Sequence, residues 1–149
     1  MQKVLMVCLG NICRSSLAEG ILQSKVNSDA VFVDSAGTAN YHIGKTPYEL
    51  SVDVAAKYGL DISNQIARQF VVKDFDEFDF IYAMDESNYE NILSLARSEK
   101  DTQKVSMILK ETHPTENLSV PDPYYGGIDG FENVYKMLDE ACELIAKKI

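Results

Sequence analysis

A chain of 149 residues, 46% of them hydrophobic, can bury one substantial core, so a single domain spanning residues 1–149 is expected. A net charge of -9 argues against nucleic acid as a partner, and no apolar run is long enough for a membrane span or a signal peptide. Three cysteines, an odd number without a secretory leader, point to reduced thiols in the cytoplasm rather than a disulfide framework, and a monomer is expected.

Taken in chain order, residues 4–7 (Val-Leu-Met-Val) form an apolar run suited to a buried strand. Leu17, Ala18, Ile21, Leu22 and Val26 then recur at helical spacing, predicting a helix over 16–26. Residues 31–35 read as a second strand, followed by a glycine-containing loop to Thr46. Pro47 opens a helix that runs to about Tyr58 and is stopped by Gly59. Residues 78–84 read as a strand, 86–97 as a helix and 104–109 as a last strand. Phe131, Val134, Leu138, Ala141, Cys142 and Ile145 share one stripe of a C-terminal helix, which makes Cys142 a packing residue. Strands alternating with helices predict an α/β fold, a doubly wound four-stranded parallel sheet with helices on both faces. No repeat, low-complexity segment or linker divides it.

Two distractors carry little. Asp74, Asp76, Glu77 and Asp79 read as a solvated acidic face, and with His42 and His113 the only histidines no metal or other cofactor is expected. Gly44-Lys45-Thr46 ends like a nucleotide-binding loop, but Ala39 stands where the first glycine of that pattern belongs.

The informative segment joins the first strand to the first helix: Cys8-Leu9-Gly10-Asn11-Ile12-Cys13-Arg14-Ser15. At such a junction free backbone N–H groups and the positive end of the helix dipole favour an anion, a thiolate included. Cys8 at the strand end is the candidate nucleophile. Arg14 supplies a planar fork that binds two phosphoryl oxygens, as a lysine could not. Gly10 and Asn11 tolerate positive φ, so the loop can curl until the N–H groups of Leu9, Gly10, Asn11, Ile12 and Cys13 face inward. Ser15 can cap the helix or hydrogen-bond the thiolate. An isolated cysteine would read as core packing; the spacing, the Gly-Asn turn and the strand-loop-helix context favour the phosphate site.

Together with residues 33–37, 67–69, 78–81, 83–88 and 122–126, which fall in the same order, this loop resembles the low-molecular-weight protein tyrosine phosphatase family over nearly the whole chain. The resemblance implies hydrolysis of phosphotyrosine in a protein or peptide, through a phosphocysteine on Cys8. It implies that Arg14 and the loop amides hold the phosphoryl group, that Asp122 protonates the leaving phenolate, that Asn11 and Ser35 keep the loop in shape and that Asp85 orients Arg14. It also implies that Cys13 can pair with an oxidised Cys8; by the residues alone, Cys13 is as well read as small loop packing. Asp122 by itself would be a solvated carboxylate, but Pro121 and Pro123 stiffen its loop, as suits an acid that must point inward. Tyr41, Tyr124 and Tyr125, with Leu9 and Ile12, are expected to wall a cleft deep enough for an aryl phosphate, although tyrosines beside Gly126-Gly127 also suit a turn.

Three positions depart from the family pattern: Gln65 where histidine is frequent, Tyr41 where tryptophan is usual, and Ser16 where proline is frequent. Three rival activities are weighed. Arsenate reductases of similar fold need two further cysteines mid-chain, and residues 83–97 have none. Protein-arginine phosphatases carry threonine where Ile12 stands. A non-hydrolysing phosphotyrosine-binding module would lack the nucleophile or the acid, and both are present.

Overall fold

The computed structural model describes the backbone of residues 1–149 and every side chain except that of Tyr125. Four parallel strands, β1 (Gln2–Cys8), β2 (Val31–Gly37), β3 (Phe80–Ala83) and β4 (Val105–Met107), form one sheet in the order β2-β1-β3-β4. The register pairs Cys8 with Gly37 on one side and Val7 with Ala83 on the other.

β1 shows why the chain folds this way. Its residues Val4 through Val7 are fully buried, as a strand covered on both faces requires. Alternation sends Val4, Met6 and Cys8 into one core and Leu5 and Val7 into the other. The first core lies under α1 (Arg14–Lys25), α2 (Glu49–Lys57) and α6 (Gly127–Lys148), which contribute Leu17, Ile21, Leu22, Val54, Phe131, Leu138 and Ile145. The second lies under α3 (Asp74–Glu77) and α4 (Glu86–Ser94), which bring Phe75 and Ile92. Each fully buried Leu, Ile or Phe stabilises the fold by about 1.5–3 kcal/mol, so both faces of the sheet are held by many such terms.

The strand after α1 goes to one side of β1 and β3 to the other, so the chain reverses direction around the carboxyl end of β1. Such a reversal opens a crevice above the strand ends where ligands of α/β sheets sit. Cys8 is the last residue of β1 and so stands in it.

Several boundaries differ from those expected. α2 begins at Glu49, because Pro47 and an extended Tyr48 precede it, and ends before Gly59, whose φ is 83°. α4 stops at Ser94 rather than Arg97, and Ser98 caps a further short helix, α5 (Glu99–Gln103). β4 ends at Met107, where Ile108–Lys110 turn into a 3-10 helix. Asp76, Glu77 and Asp79 are exposed, as a solvated acidic face requires, but Asp74 departs from it. Asp74 is buried, accepting from Arg68 and from the Val71 N–H, while Asp76 pairs with Arg97 and Asp79 accepts from the Lys3 N–H. Arg68, six residues before Asp74, and Arg97, 21 residues after Asp76, supply counter-charge at separations that match no helical or strand period. Among the described residues no helix is long and apolar enough to cross a membrane.

Candidate active site

Residues 8–13 curl between the end of β1 and the start of α1. The carbonyls of Cys8, Leu9 and Ile12 accept from the N–H groups of Thr38, Ala39 and Tyr48 outside the loop, and that of Cys13 from Leu17 in α1. Each of these peptide planes therefore turns its own N–H, those of Leu9, Gly10, Cys13 and Arg14, toward the concave side, an arrangement that binds anions. Asn11 takes the left-handed conformation, φ 60°, that the Gly-Asn pair foreshadows, and its N–H points at Cys8 Sγ at 3.3 Å. Gly37 is equally necessary: a Cβ there would lie 2.6 Å from the Leu9 carbonyl oxygen, so no larger residue lets β2 pass beneath the loop.

Of the two uses open to Ser15, the structure selects the second. α1 has no side-chain cap, and Ser15 Oγ sits 3.0 Å from Cys8 Sγ. Asn11 Nδ2 donates both to Ser15 Oγ at 2.8 Å and to Ser35 Oγ at 2.9 Å. Ser15 Oγ thereby accepts from Asn11, and its own proton can be given to the Cys8 sulfur when that sulfur is ionised.

Arg14 lies almost wholly buried at the first turn of α1, where Nη1 donates to Asp85 Oδ2 at 2.7 Å and to the Val120 carbonyl at 2.9 Å. Asp85 also caps α4, accepting from the Asn88 N–H at 2.7 Å, so a helix start fixes the carboxylate that fixes the guanidinium. Among the described residues only Nη1 is engaged, which leaves the rest of the fork for phosphoryl oxygens.

A cavity of about 150 Å³ opens above Cys8, lined by Leu9, Gly10, Ile12, Cys13, Arg14, Tyr41, His42, Asp122 and Tyr124. Asp122, exposed at its mouth, caps a 3-10 turn (Pro123–Tyr125) by accepting from the Tyr124 N–H at 3.0 Å. Tyr41 is 69% and Tyr124 49% exposed at the rim of the cavity. Tyr124 leans on Tyr48, with ring centroids 5.3 Å apart, and Tyr48 stacks on Phe131 of α6. The side chain of Tyr125 lies outside the described residues.

Burial pushes the Cys13 thiol up to about 12, with the charges of Cys8 and Asp122 adding to the rise. It therefore stays protonated at neutral pH. Cys142 is buried in the core with its thiol against the Ala18 carbonyl, and all three cysteines are free.

Four participants escape a reading of the sequence. His42 packs on the loop so closely that a Cβ on Gly10 would lie 2.8 Å from its ring. The Val120 carbonyl holds Arg14, and the Arg68 N–H holds Asn11 Oδ1 at 3.1 Å. Glu19 accepts from Ser35 Oγ at 2.6 Å. Two are backbone groups with no residue-type signature. Glu19 alone had a faint signal, a carboxylate one helical turn past Ser15 in the first helix. Among the described residues no group of side chains is arranged to hold a metal ion.

Residues 3–149 match the family model described as low molecular weight phosphotyrosine protein phosphatase. The low molecular weight protein-tyrosine-phosphatase YfkJ of Bacillus subtilis is 37% identical, over 100% of this chain and 96% of its own. Among solved structures, the fold is similar to a protein tyrosine phosphatase from Entamoeba histolytica, with a TM-score of 0.91, 37% identity and 99% and 96% of the two chains covered. It is also similar to Vibrio vulnificus Wzb in complex with benzylphosphonate, with a TM-score of 0.89, 28% identity and 99% of each chain covered. With agreement in sequence and in fold over its full length, this chain belongs to the low molecular weight phosphotyrosine protein phosphatase family and, with it, to the protein-tyrosine phosphatases.

Proposed function

We propose that the chain hydrolyses phosphotyrosine in two steps at the carboxyl end of β1. The Cys8 thiolate attacks phosphorus, forming the S–P bond as the bond to the phenolic oxygen breaks, and Asp122 gives that oxygen its proton. Asp122, now ionised, takes a proton from water as the water attacks the phosphocysteine. Inorganic phosphate leaves and Cys8 returns to the thiolate. Arg14 and the loop N–H groups follow the three equatorial oxygens through both transition states, where charge is spread over them.

The observation that carries this reading is that Cys8, Arg14 and Asp122 line one small cavity. The Asn11 N–H and the Ser15 hydroxyl at the Cys8 sulfur support a nucleophile held in place, and the Arg14–Asp85 pair supports a guanidinium held ready. Tyr41 and Tyr124 at the rim, with Ile12 in the wall, favour an aromatic ring over the aliphatic chain of phosphoserine or the polar one of phosphoarginine. Benzylphosphonate, bound to Vibrio vulnificus Wzb, has the same combination of ring and phosphorus oxyanion.

The test compares leaving groups. Asp122→Ala is expected to slow hydrolysis of a phosphotyrosine peptide by roughly 10²–10⁴-fold and to slow an aryl phosphate with an acidic phenol far less. Equal losses for the two substrates would remove Asp122 from the acid's role. Faster turnover of phosphoarginine, or arsenate reduction, by the unmodified protein would displace phosphotyrosine as the substrate.

A further inference from the structure

Glu19 plays no part in the chemistry above, yet its carboxylate ends a hydrogen-bond chain that starts at the nucleophile. From Cys8 Sγ the chain runs to Ser15 Oγ at 3.0 Å, to Asn11 Nδ2 at 2.8 Å, to Ser35 Oγ at 2.9 Å and to Glu19 Oε1 at 2.6 Å. The middle of this chain and its Glu19 end have a fixed direction. Asn11 Oδ1 accepts the backbone N–H of Arg68, a group that can only donate, so the amide cannot turn over. An ionised Glu19 can only accept. Ser35 must then donate to Glu19 while accepting from Asn11, and Asn11 is pinned by its side chain in the left-handed conformation that delivers its N–H to the sulfur.

We propose that Glu19 is a positioning residue of this phosphatase: acting through Ser35 and Asn11, its ionised carboxylate holds the 8–14 loop in the shape that receives the phosphoryl group, and protonation of Glu19 slackens that hold. The proposal rests on the reading of Cys8 as the nucleophile. A charge-assisted hydrogen bond is roughly twice as strong as a neutral one, so the last link loses much of its grip when the carboxylate is neutralised.

The surroundings set this change near physiological pH. Burial pushes the Glu19 carboxyl up to about 7; the Ser35 hydrogen bond opposes the rise, Asp34 adds to it and Arg68 opposes it. Arg68 is itself shared between Asp34, at 3.2 Å, and Asp74, at 3.1 Å. The hollow outside Glu19 is walled by Asp61, Asn64 and Gln65 from one segment and by Gln23 and Ser24 from α1, none of them cationic. The Gln65 amide donates instead to the Ser16 carbonyl at 3.1 Å. No full counter-charge is therefore committed to Glu19, and its ionisation is left responsive to pH.

Two measurements test this. In the unliganded wild type, followed by NMR, the Glu19 carboxyl carbon and the Asn11 amide should titrate together near pH 7. In kinetics on an aryl phosphate, Glu19→Gln keeps the shape and an acceptor oxygen but imitates the neutral acid at every pH. It should lower kcat about tenfold at about pH 8, and the deficit should shrink toward nothing at about pH 5.5, where wild-type Glu19 is itself protonated. Glu19→Asp, still ionisable, should recover part of the loss. A merely structural role would give the same deficit at every pH, and that result, or an Asn11 amide indifferent to the Glu19 titration, overturns the proposal. If Glu19→Gln does not fold, the wild-type NMR titration decides alone. Loss of Cys8 as the nucleophile would show instead as turnover surviving in Cys8→Ser, which leaves the NMR result unaffected.

Discussion

Arg14 Nη1 and Asp85 Oδ2 stand 2.7 Å apart, one nearly buried and the other 22% exposed, and this contact ties the first turn of α1 to the first residue before α4. It orients a guanidinium across the end of the sheet from the loop that it serves. Asp85→Asn keeps the cap on α4, since an amide oxygen still accepts from Asn88, but it surrenders the ion pair. The expected result is a kcat/KM on a phosphotyrosine peptide lower by about tenfold with little change in thermal midpoint. Arg14→Lys should be far worse, because a point charge cannot make the bidentate contact. Parallel kinetics and melting curves for the two variants check both statements.

Gly37 makes a prediction about packing rather than charge. In Gly37→Ala the new methyl would press on the Leu9 carbonyl oxygen at 2.6 Å and on the Gly10 carbon at 3.0 Å, both backbone atoms that cannot swing aside. The loop must shift, at a cost of about 1–3 kcal/mol in unfolding free energy. Urea titration should show that loss, and kcat should fall with it even though residue 37 touches no substrate.

The stability of the protein should also respond to Glu19. A carboxyl whose folded pKa is raised from 4.5 to about 7 binds more protons in the folded state than in the unfolded state between those values. Its contribution therefore favours folding below about pH 4.5 and is lost as pH rises toward 7, by a few kcal/mol at most. Glu19→Gln should flatten that slope. Denaturant midpoints measured for both proteins from pH 5 to pH 8 would reveal it, and parallel curves would count against the raised pKa.

Oxidation provides a fourth prediction. We propose that peroxide converts Cys8 to a sulfenic acid, which condenses with the Cys13 thiol to form the S–S bond and release water. Because Cys13 is held protonated by burial, with its pKa pushed up to about 12, condensation should be slow at neutral pH and quicken as pH rises. We propose that Cys13→Ser makes peroxide inactivation harder to reverse with dithiothreitol. Recovery equal to that of the wild type, or a disulfide found between Cys8 and Cys142, would remove Cys13 from that role.

What the sequence disclosed and what it hid follow from range. The β1-loop-α1 unit was legible because strand, turn and helix signals lie within about two dozen consecutive residues, and Asn11 at φ 60° and Ser15 at the sulfur are consequences of that local geometry. Likewise the C-terminal stripe from Phe131 to Ile145 is one long helix with a clear period. The short helices Asp74–Glu77 and Glu99–Gln103 span little more than a turn each, too little for a period to show. The Val120 carbonyl, the Arg68 N–H and the buried Asp74 were hidden for another reason. The first two are backbone atoms that any residue type could supply, acting on residues brought near only by the tertiary fold, and Asp74 is drawn inside by Arg68 at a separation of six residues that matches no helical or strand period.

The central claim is that a phosphoryl group rests on Cys8 between the two halves of the reaction. Asp122→Ala slows both halves, but with an aryl phosphate whose phenol leaves unaided only the second is impeded, so the intermediate should accumulate. Acid quenching of that variant during turnover, followed by proteolysis and mass spectrometry, should find a phosphoryl group on the peptide carrying Cys8 and none when Cys8 is replaced by Ser. Steady turnover with no phosphorylated Cys8 peptide at any quench time, or a phosphoryl group on another residue, would contradict the mechanism.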